Sequence, residues 1–210
     1  MSRAKLQLAL DTLSIDQAIE LVEKVGDQID IIEAGTPFIM EEGLHIVRKL
    51  RERFPHKTIL ADTKIADGAR LETAAAIRAG ADIVTVLGAV EEATIRDCIA
   101  EAHQNGVQVL VDMIAVRDLE ERGRLIDEMG ADYICVHNGY DTKALKDSPL
   151  DELLRIKAVV RNARIAVAGG ITPDNLPAIM KEGADLVVVG TVVVKSADPA
   201  AMCRKLREWL

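Results

Sequence analysis

The chain has 210 residues, of which 49% are apolar and 2% aromatic, and its formal net charge is −8. This length suits one domain and is slightly short for a (β/α)8 barrel, and the core must be built from aliphatic side chains. The acidic balance and the lack of a basic run argue against nucleic acid as a partner.

Short apolar runs alternate with longer amphipathic runs from one end of the chain to the other. The short runs predict eight strands, at residues 6–10, 29–32, 58–62, 83–87, 107–111, 133–136, 165–168 and 186–189. The amphipathic runs predict a helix after each strand, at residues 14–25, 41–53, 71–78, 91–104, 119–129, 150–160, 173–181 and 199–210. Strands that are apolar over their whole length are typical of a parallel sheet buried on both faces.

A repeated Gly-Ala-Asp sequence supports this count of strands. It ends at Asp82, Asp132 and Asp185, each time between a predicted helix and the next strand, at intervals of about fifty residues. Its glycine suits the left-handed C-cap of a helix. Eight even βα units favour an α/β protein with one domain over residues 1–210, a closed (β/α)8 TIM barrel; an open doubly wound sheet is the alternative.

The start of the chain and the cysteines bear on location. The first residues are basic and then apolar, but Gln7 and Asp11 interrupt the apolar run too early for a signal peptide. No apolar stretch approaches the ~20 residues of a membrane span, so we expect no membrane partner. Cys98, Cys135 and Cys203 are odd in number and far apart, which favours buried free thiols in a reducing cytoplasm.

The most informative segment follows the third predicted strand, where Asp62, Lys64 and Asp67 lie within six residues. In parallel α/β proteins the carboxyl ends of the strands carry the active site. Two carboxylates and an ammonium held together there shift one another's pKa values, which is a property of functional sites. We therefore predict that these three residues are catalytic; a polar turn with a surface ion pair is the alternative.

Other predicted strands also end in residues that can do chemistry, among them Asp11, Glu33 and Asp112. In a closed barrel these carboxylates face one mouth, where several of them need a compensating cation. Glu33 and Asp62 come from adjacent strands, and Mg²⁺ commonly takes one or two carboxylates plus substrate oxygens, so we predict that these two hold Mg²⁺. Asp11 and Asp112 are predicted to bind substrate, and hydrogen bonding to loop amides alone is the alternative for both.

The sixth predicted strand ends in His137, beyond an apolar run. A lone histidine is often structural, but this one faces the same mouth as the carboxylates. Since the ordinary pKa of histidine lies near neutrality, we predict that His137 is a general acid or base.

Glycines end the last two predicted strands, Gly169 and Gly170 after the seventh and Gly190 after the eighth. Barrels commonly bind phosphate at these two loops through bare backbone amides and a helix N-terminus. We predict that these glycines and Thr191 bind a substrate phosphate; ordinary tight turns are the alternative.

These residues resemble those of a known family. Asp62-Thr-Lys64-Ile-Ala-Asp67 matches the D-x-K-x-x-D motif of the orotidine 5′-monophosphate decarboxylase suprafamily, and the likeness to its sugar-phosphate members covers nearly the whole chain. Within the suprafamily the chain is most similar to a branch of aldolases, through residues 6–11, 33–37, 85–88, 111–113 and 166–170.

The resemblance to that branch implies an Mg²⁺-dependent aldol reaction between D-ribulose 5-phosphate and formaldehyde, which gives D-arabino-3-hexulose 6-phosphate. It implies that His137 removes the C1 proton and that Lys64 and the metal stabilise the resulting enediolate, which suits the chemistry of these groups. It also implies a homodimer in which Asp67 reaches the active site of the neighbouring subunit.

Two other functions stay open at this point. The sister decarboxylases of 3-keto-L-gulonate 6-phosphate share the motif, but they carry arginines where this chain has Gly139 and Thr191. The decarboxylase of the nucleotide itself extends the motif differently and needs no metal. A barrel that only binds a sugar phosphate and regulates another process is the alternative that is not an enzyme, and it has no need of a base and a metal at one mouth.

Overall fold

A computed structural model describes residues 3–11, 13–141 and 149–210. Eight parallel strands close into a barrel in chain order within these residues, which confirms the predicted (β/α)8 fold. The strands are β1 (Lys5–Leu10), β2 (Ile31–Ala34), β3 (Thr58–Ile65), β4 (Ile83–Leu87), β5 (Gln108–Asp112), β6 (Tyr133–His137), β7 (Arg164–Ala168) and β8 (Leu186–Val189).

Helices connect the strands and surround the barrel. Those that the structure describes are α1 (Ile15–Val25), α2 (Thr36–Glu42), α3 (His45–Arg53), α4 (Ala69–Ala79), α5 (Glu92–Gln104), α6 (Leu119–Met129), α7 (Pro149–Val159), α8 (Leu176–Lys181), α9 (Thr191–Val194) and α10 (Pro199–Arg207). A 3-10 turn, Gly26–Gln28, follows α1. The capping box predicted for α1 is present, with the Ser14 side chain accepting from the Gln17 amide.

Three differences from the predicted elements are a divided helix, an additional short helix and a longer third strand. The prediction of one helix over 41–53 is wrong, because Gly43 has a φ of 61° and separates α2 from α3. The short helix α9 has no amphipathic period of its own, and the sequence did not predict it. Strand β3 extends to Ile65 rather than to Asp62, so Lys64 belongs to the strand and not to the following loop.

The core has two layers, one inside the barrel and one between the strands and the helices. The side chains inside the barrel are mainly aliphatic: Ile31, Leu60, Ile83, Leu110, Tyr133, Cys135, Ala166, Ala168 and Leu186. The larger layer outside packs strand residues such as Leu6 and Leu8 against helix residues such as Val22 and Leu50. Because both faces of each strand are buried, the strands read as continuous apolar runs in the sequence.

A regular set of aspartates lies at the amino end of the barrel. Each precedes an even-numbered strand, and its carboxylate accepts the N–H of the second residue of the preceding odd-numbered strand. The four bonds run from Leu6 to Asp30 (2.7 Å), Ile59 to Asp82 (2.8 Å), Val109 to Asp132 (2.9 Å) and Ile165 to Asp185 (2.8 Å). The repeated Gly-Ala-Asp therefore has a structural role, and its glycines adopt the predicted positive φ, as at Gly80 (102°).

Two further features of the fold are the burial of its thiols and the length of its helices. Cys98, Cys135 and Cys203 are buried and free, as predicted. Burial raises the pKa of each thiol above its ordinary value. Among the helices described, none has the length and apolar character needed to cross a membrane.

Candidate active site

The carboxyl end of the barrel brings six of the predicted site residues together. Asp11 follows β1, Glu33 lies in β2, Asp62 and Lys64 lie in β3, and two more end β5 and β6. These last two are Asp112 and His137. The charges of Asp62, Lys64 and His137 all act on the pKa of Asp11, so the groups form one electrostatic cluster.

Lys64 lies at the centre of this cluster. Its Nζ is 2.7 Å from Oδ2 of Asp62 and 2.9 Å from Oδ2 of Asp112. Burial disfavours the charged ammonium, but the attraction of Asp62 and Asp112 outweighs it and raises the pKa of Lys64 well above its ordinary value. Lys64 is therefore a permanent cation that links the ends of β3 and β5.

The carboxylate of Asp62 is held on both oxygens. Thr85 Oγ1 donates to Oδ1 at 2.8 Å, and Thr36 Oγ1 donates to Oδ2 at 2.8 Å. Lys64 Nζ lies near both oxygens, at 2.9 and 2.7 Å. The two threonines were not predicted as site residues, since a threonine in a strand or after a glycine carries no signal that separates a hydroxyl used at a site from ordinary β propensity.

Asp112 connects the ammonium to the predicted base. Its Oδ2, besides contacting Lys64, lies 2.9 Å from Nδ1 of His137, and its Oδ1 accepts the N–H of Ile114 at 2.9 Å. Burial alone would raise the pKa of Asp112, but the hydrogen bond from His137 and the nearby positive charges hold it well below its usual range. Because a carboxylate only accepts, Nδ1 of His137 donates, which leaves Nε2 as the basic nitrogen.

Two other carboxylates at this end have raised pKa values. Burial and the negative charge of Asp62 raise the pKa of Glu33 to about 8, although a 2.5 Å hydrogen bond from the Gln7 amide opposes the shift. Burial and Asp62 also raise the pKa of Asp11. One ammonium thus leaves the negative charge of this cluster incompletely compensated.

A bound cation would compensate the remaining negative charge of this cluster. In the described residues, no group of three or more His, Cys, Asp or Glu side chains is placed to hold an ion by itself. Glu33 and Asp62, however, lie on adjacent strands and offer only oxygen, and Mg²⁺ usually completes a pair of carboxylates with water and substrate oxygens. The oxygen donors of Glu33 and Asp62 therefore suit Mg²⁺, and their role as its ligands stays a prediction.

The predicted phosphate loop after β7 has a backbone conformation that needs glycine. Gly169 and Gly170 have φ values of 89° and 71°. A Cβ on Gly169 would lie 2.2 Å from the carbonyl oxygen of Asn138, so no other residue fits there. Gly190 precedes α9, and Thr191, the first residue of that helix, is exposed. The amides of these loops lie at the carboxyl end of β7 and β8, next to the charged cluster.

Asp67 is the one predicted catalytic residue that lies outside the cluster. It is exposed two residues beyond the end of β3 and, among the residues the structure describes, makes no hydrogen bond or ion pair.

Comparisons with known proteins agree with this geometry. The sequence model of the orotidine 5′-phosphate decarboxylase / HUMPS family matches residues 4–206. A Staphylococcus aureus (strain bovine RF122 / ET3-1) protein named 3-hexulose-6-phosphate synthase is 48% identical over 203 residues, which cover 97% of each chain. The crystal structure of 3-hexulose-6-phosphate synthase from Salmonella typhimurium superposes with a TM-score of 0.95 at 47% identity and covers 98% of both chains.

A more distant structure bears on the decarboxylase alternative. The crystal structure of 3-keto-L-gulonate-6-phosphate decarboxylase from Vibrio cholerae superposes with a TM-score of 0.88 over 99% of this chain and 97% of its own. Its identity is 23%, so this likeness shows the shared barrel fold alone.

Proposed function

Because the chain belongs to the orotidine 5′-phosphate decarboxylase / HUMPS family, we propose that it joins formaldehyde to D-ribulose 5-phosphate in an aldol reaction. The product is D-arabino-3-hexulose 6-phosphate, and the same site catalyses the reverse cleavage. The chain is thus a carbon–carbon lyase of the aldolase type. The observation that carries the proposal is the 48% identity, over 97% of both chains, to a relative named for this activity.

The proposed reaction starts with removal of a C1 proton of ribulose 5-phosphate by Nε2 of His137. Asp112 supports this role, because its contact with Nδ1 at 2.9 Å fixes the tautomer and the orientation of the ring. We therefore propose that Asp112 positions His137. The prediction that Asp112 also binds substrate directly is separate from this role.

Loss of the proton leaves an enediolate, whose negative charge needs stabilisation. The ammonium of Lys64 is held in place before substrate arrives, so its charge is available without reorganisation. Glu33 and Asp62 would hold Mg²⁺, which supplies further positive charge for the oxygens of the substrate. The C1 carbanion equivalent then attacks the carbonyl carbon of formaldehyde, and the new alkoxide takes up the proton that Nε2 of His137 had removed from C1.

The remaining residues bind the substrate. The amides of Gly169, Gly170 and Gly190, with Thr191, anchor the phosphate. Asp11 binds hydroxyl groups of the sugar. Binding energy at these positions, away from the reacting carbon, orients C1 toward His137.

We also propose a cytoplasmic homodimer in which Asp67 acts in the neighbouring active site. Its exposure supports this, as do the exposed apolar side chains of Met40 (81%) and Leu71 (80%), which lie on α2 and α4 near the same end of the barrel. Mixing inactive Asp67→Ala chains with inactive Lys64→Ala chains should restore up to about a quarter of the wild-type sites through heterodimers. Proven subunit exchange without recovery would place Asp67 in its own barrel.

An assay with both candidate substrates tests the main proposal. With D-ribulose 5-phosphate, formaldehyde and Mg²⁺, the protein should consume formaldehyde and form a hexulose 6-phosphate, and neither change should occur without the pentose. A faster decarboxylation of 3-keto-L-gulonate 6-phosphate would instead favour the sister activity. Binding of ribulose 5-phosphate without turnover of either substrate would favour a regulatory barrel.

A further inference from the structure

Thr85, on β4, is buried beside the charged part of β3, and the sequence patterns give it no role of its own. The register of the two strands shifts at this point, since Ala61 lies opposite Val84 but Ile65 lies opposite Val86. The three residues between them on β3 therefore face Thr85 alone. Such bulges are frequent beside active sites, where they redirect side chains.

Thr85 has a hydrogen bond with each of these three residues. Its Oγ1 accepts the backbone N–H of Lys64 at 2.8 Å and donates to Oδ1 of Asp62 at 2.8 Å. Its carbonyl oxygen accepts from Oγ1 of Thr63 at 3.0 Å. The hydroxyl hydrogen of Thr85 thus bonds Asp62, and a lone pair of the same oxygen accepts from Lys64. The backbone carbonyl of Thr85 accepts from Thr63.

The bond to the Lys64 amide bears on an unfavourable backbone conformation. Lys64 has a φ of 44°, in the left-handed region that residues other than glycine rarely adopt. Such a conformation persists only when its surroundings hold it there. With this backbone, Nζ of Lys64 contacts the carboxylates of Asp62 and Asp112.

We infer that Thr85 is a positioning residue for the proposed reaction. Its hydroxyl fixes the backbone of Lys64 and the carboxylate of Asp62 together, so that the ammonium and the predicted metal ligand keep a constant separation. The inference rests on the proposed function. Because Thr85 has no contact with the phosphate loops or with Asp11 among the described hydrogen bonds, its loss should lower kcat more than it raises KM.

Thr85→Val tests this, since valine keeps the shape and removes the hydroxyl. We expect a fall in kcat of about 100-fold, because small displacements of reacting groups have effects of that size, with KM within about threefold of wild type. Thr85→Ser keeps the hydroxyl and should retain most of the activity. Thr73→Val is the matched control: Thr73 is another fully buried threonine whose hydroxyl contacts Cys98, and its loss should leave kcat unchanged.

A second readout does not depend on activity. Hydrogen exchange of the Lys64 backbone amide should be at least about tenfold faster in Thr85→Val than in wild type. Unchanged kcat and unchanged exchange in Thr85→Val would overturn the inference, as would a Thr85→Ser variant as poor as Thr85→Val. If Thr85→Val does not fold, comparing Thr85→Ala with Thr85→Ser decides in the same way. If wild type turns over neither sugar phosphate, the proposed function fails, and exchange alone decides the positioning role.

Discussion

At the amino end of the barrel the carboxylates accept hydrogen bonds from backbone donors, whereas at the carboxyl end Glu33 and Asp11 face the negative charge of Asp62. Asp127, at the end of α6, accepts the backbone N–H groups of Arg161, Asn162 and Ala163 just before β7. Burial opposes its charge, but these donors lower its pKa below the ordinary value. Glu33, at the other end, has its pKa raised to about 8 by burial and by the charge of Asp62.

The difference between Asp127 and Glu33 shows that buried carboxylates of this barrel contribute to stability in opposite directions. A carboxylate with a lowered pKa stabilises the folded state near neutral pH, and one with a raised pKa destabilises it. Charges crowded without enough partners are common at active sites, because the substrate or a metal completes them. Glu33 and Asp127 therefore contribute to stability in opposite directions, while Asp112, with its lowered pKa, stabilises the fold at the carboxyl end as well.

The largest effect should come from removing the central cation of the carboxyl end. Lys64→Met leaves Asp62 and Asp112 without their ammonium and the enediolate without its fixed positive charge. We expect kcat/KM to fall at least about 10³-fold, which is the range found for the loss of a preorganised charge, and the free energy of unfolding to fall by about 3 kcal/mol. Formaldehyde consumption and urea unfolding at pH 7 measure the two changes.

Lys57 is the matched control at the amino end, where its Nζ bonds the carbonyl oxygens of Gly26 and Ile29. Lys57→Met should lower the free energy of unfolding by about 1 kcal/mol and leave kcat within about twofold of wild type. Equal losses of activity in both variants would mean that the two ends do not differ in function.

The next effect concerns the base. His137→Asn should slow exchange of the C1 proton of ribulose 5-phosphate with solvent by about 10²–10³-fold, the usual contribution of a general base, while the substrate still binds. His103 is the control, because it also contacts an aspartate, Asp132, at 2.8 Å, but at the amino end. His103→Asn should exchange the proton at the wild-type rate, and a wild-type rate in His137→Asn would exclude His137 as the base.

The sequence predicted the barrel because each apolar run and each helix ending is a local signal. The strand ends then located Asp11, Glu33, Asp112 and His137 at one mouth. The sequence contains no such local signal for side chains that contact each other across different strands. The shared contact of Lys64 and His137 with Asp112 depends on side-chain directions that only the closed sheet determines.

Thr85 and Thr36 illustrate what the sequence could not give. Neither threonine stands out from its neighbours in the sequence. Their hydroxyls become part of the site only because β3 bulges and α2 starts beside Asp62. The Gly-Ala-Asp repeat illustrates the converse. Its glycine was interpreted as a helix C-cap, but the role of its aspartate in bonding a neighbouring strand appears only once the strands are paired.

The third effect is a pH dependence at the carboxyl end. In metal-free protein, Glu33 has a pKa of about 8 when folded and an ordinary value of 4.5 when unfolded. Between these values the folded state binds more protons, so stability falls as the pH rises from about 4.5 to about 8, by about 4 kcal/mol. Thermal unfolding in EDTA measures the slope, and Glu33→Gln should remove it.

Adding Mg²⁺ to the same unfolding experiment tests whether Glu33 holds the metal. If Glu33 holds the metal, Mg²⁺ should raise the unfolding temperature of wild type at pH 8, since a ligand of the folded state stabilises it, and should have little effect on Glu33→Gln. The same rise in both proteins would show that Glu33 is not a metal ligand. Full turnover in EDTA would contradict the metal role altogether.

The smallest effect concerns Asp127 at the amino end. Asp127→Asn replaces one carboxylate oxygen with an amide N–H₂ that faces backbone donors, so we expect a loss of about 2 kcal/mol in the free energy of unfolding at pH 7. Because the folded pKa lies below the ordinary value of 3.8, the stabilisation by the charge is complete above that value and disappears as the pH falls through the lowered pKa. Wild type and variant should therefore converge in stability as the pH falls below 3.8 and through the lowered pKa of Asp127. Urea unfolding across pH measures this, with Glu128→Gln, an exposed neighbour, as the control that should stay close to wild type throughout. kcat should be unchanged in both variants.

An Asp127→Asn variant that keeps the same deficit in the free energy of unfolding at every pH would show that Asp127 acts through shape and not through its charge. The electrostatic contrast between the two ends of the barrel would then rest on Glu33 alone.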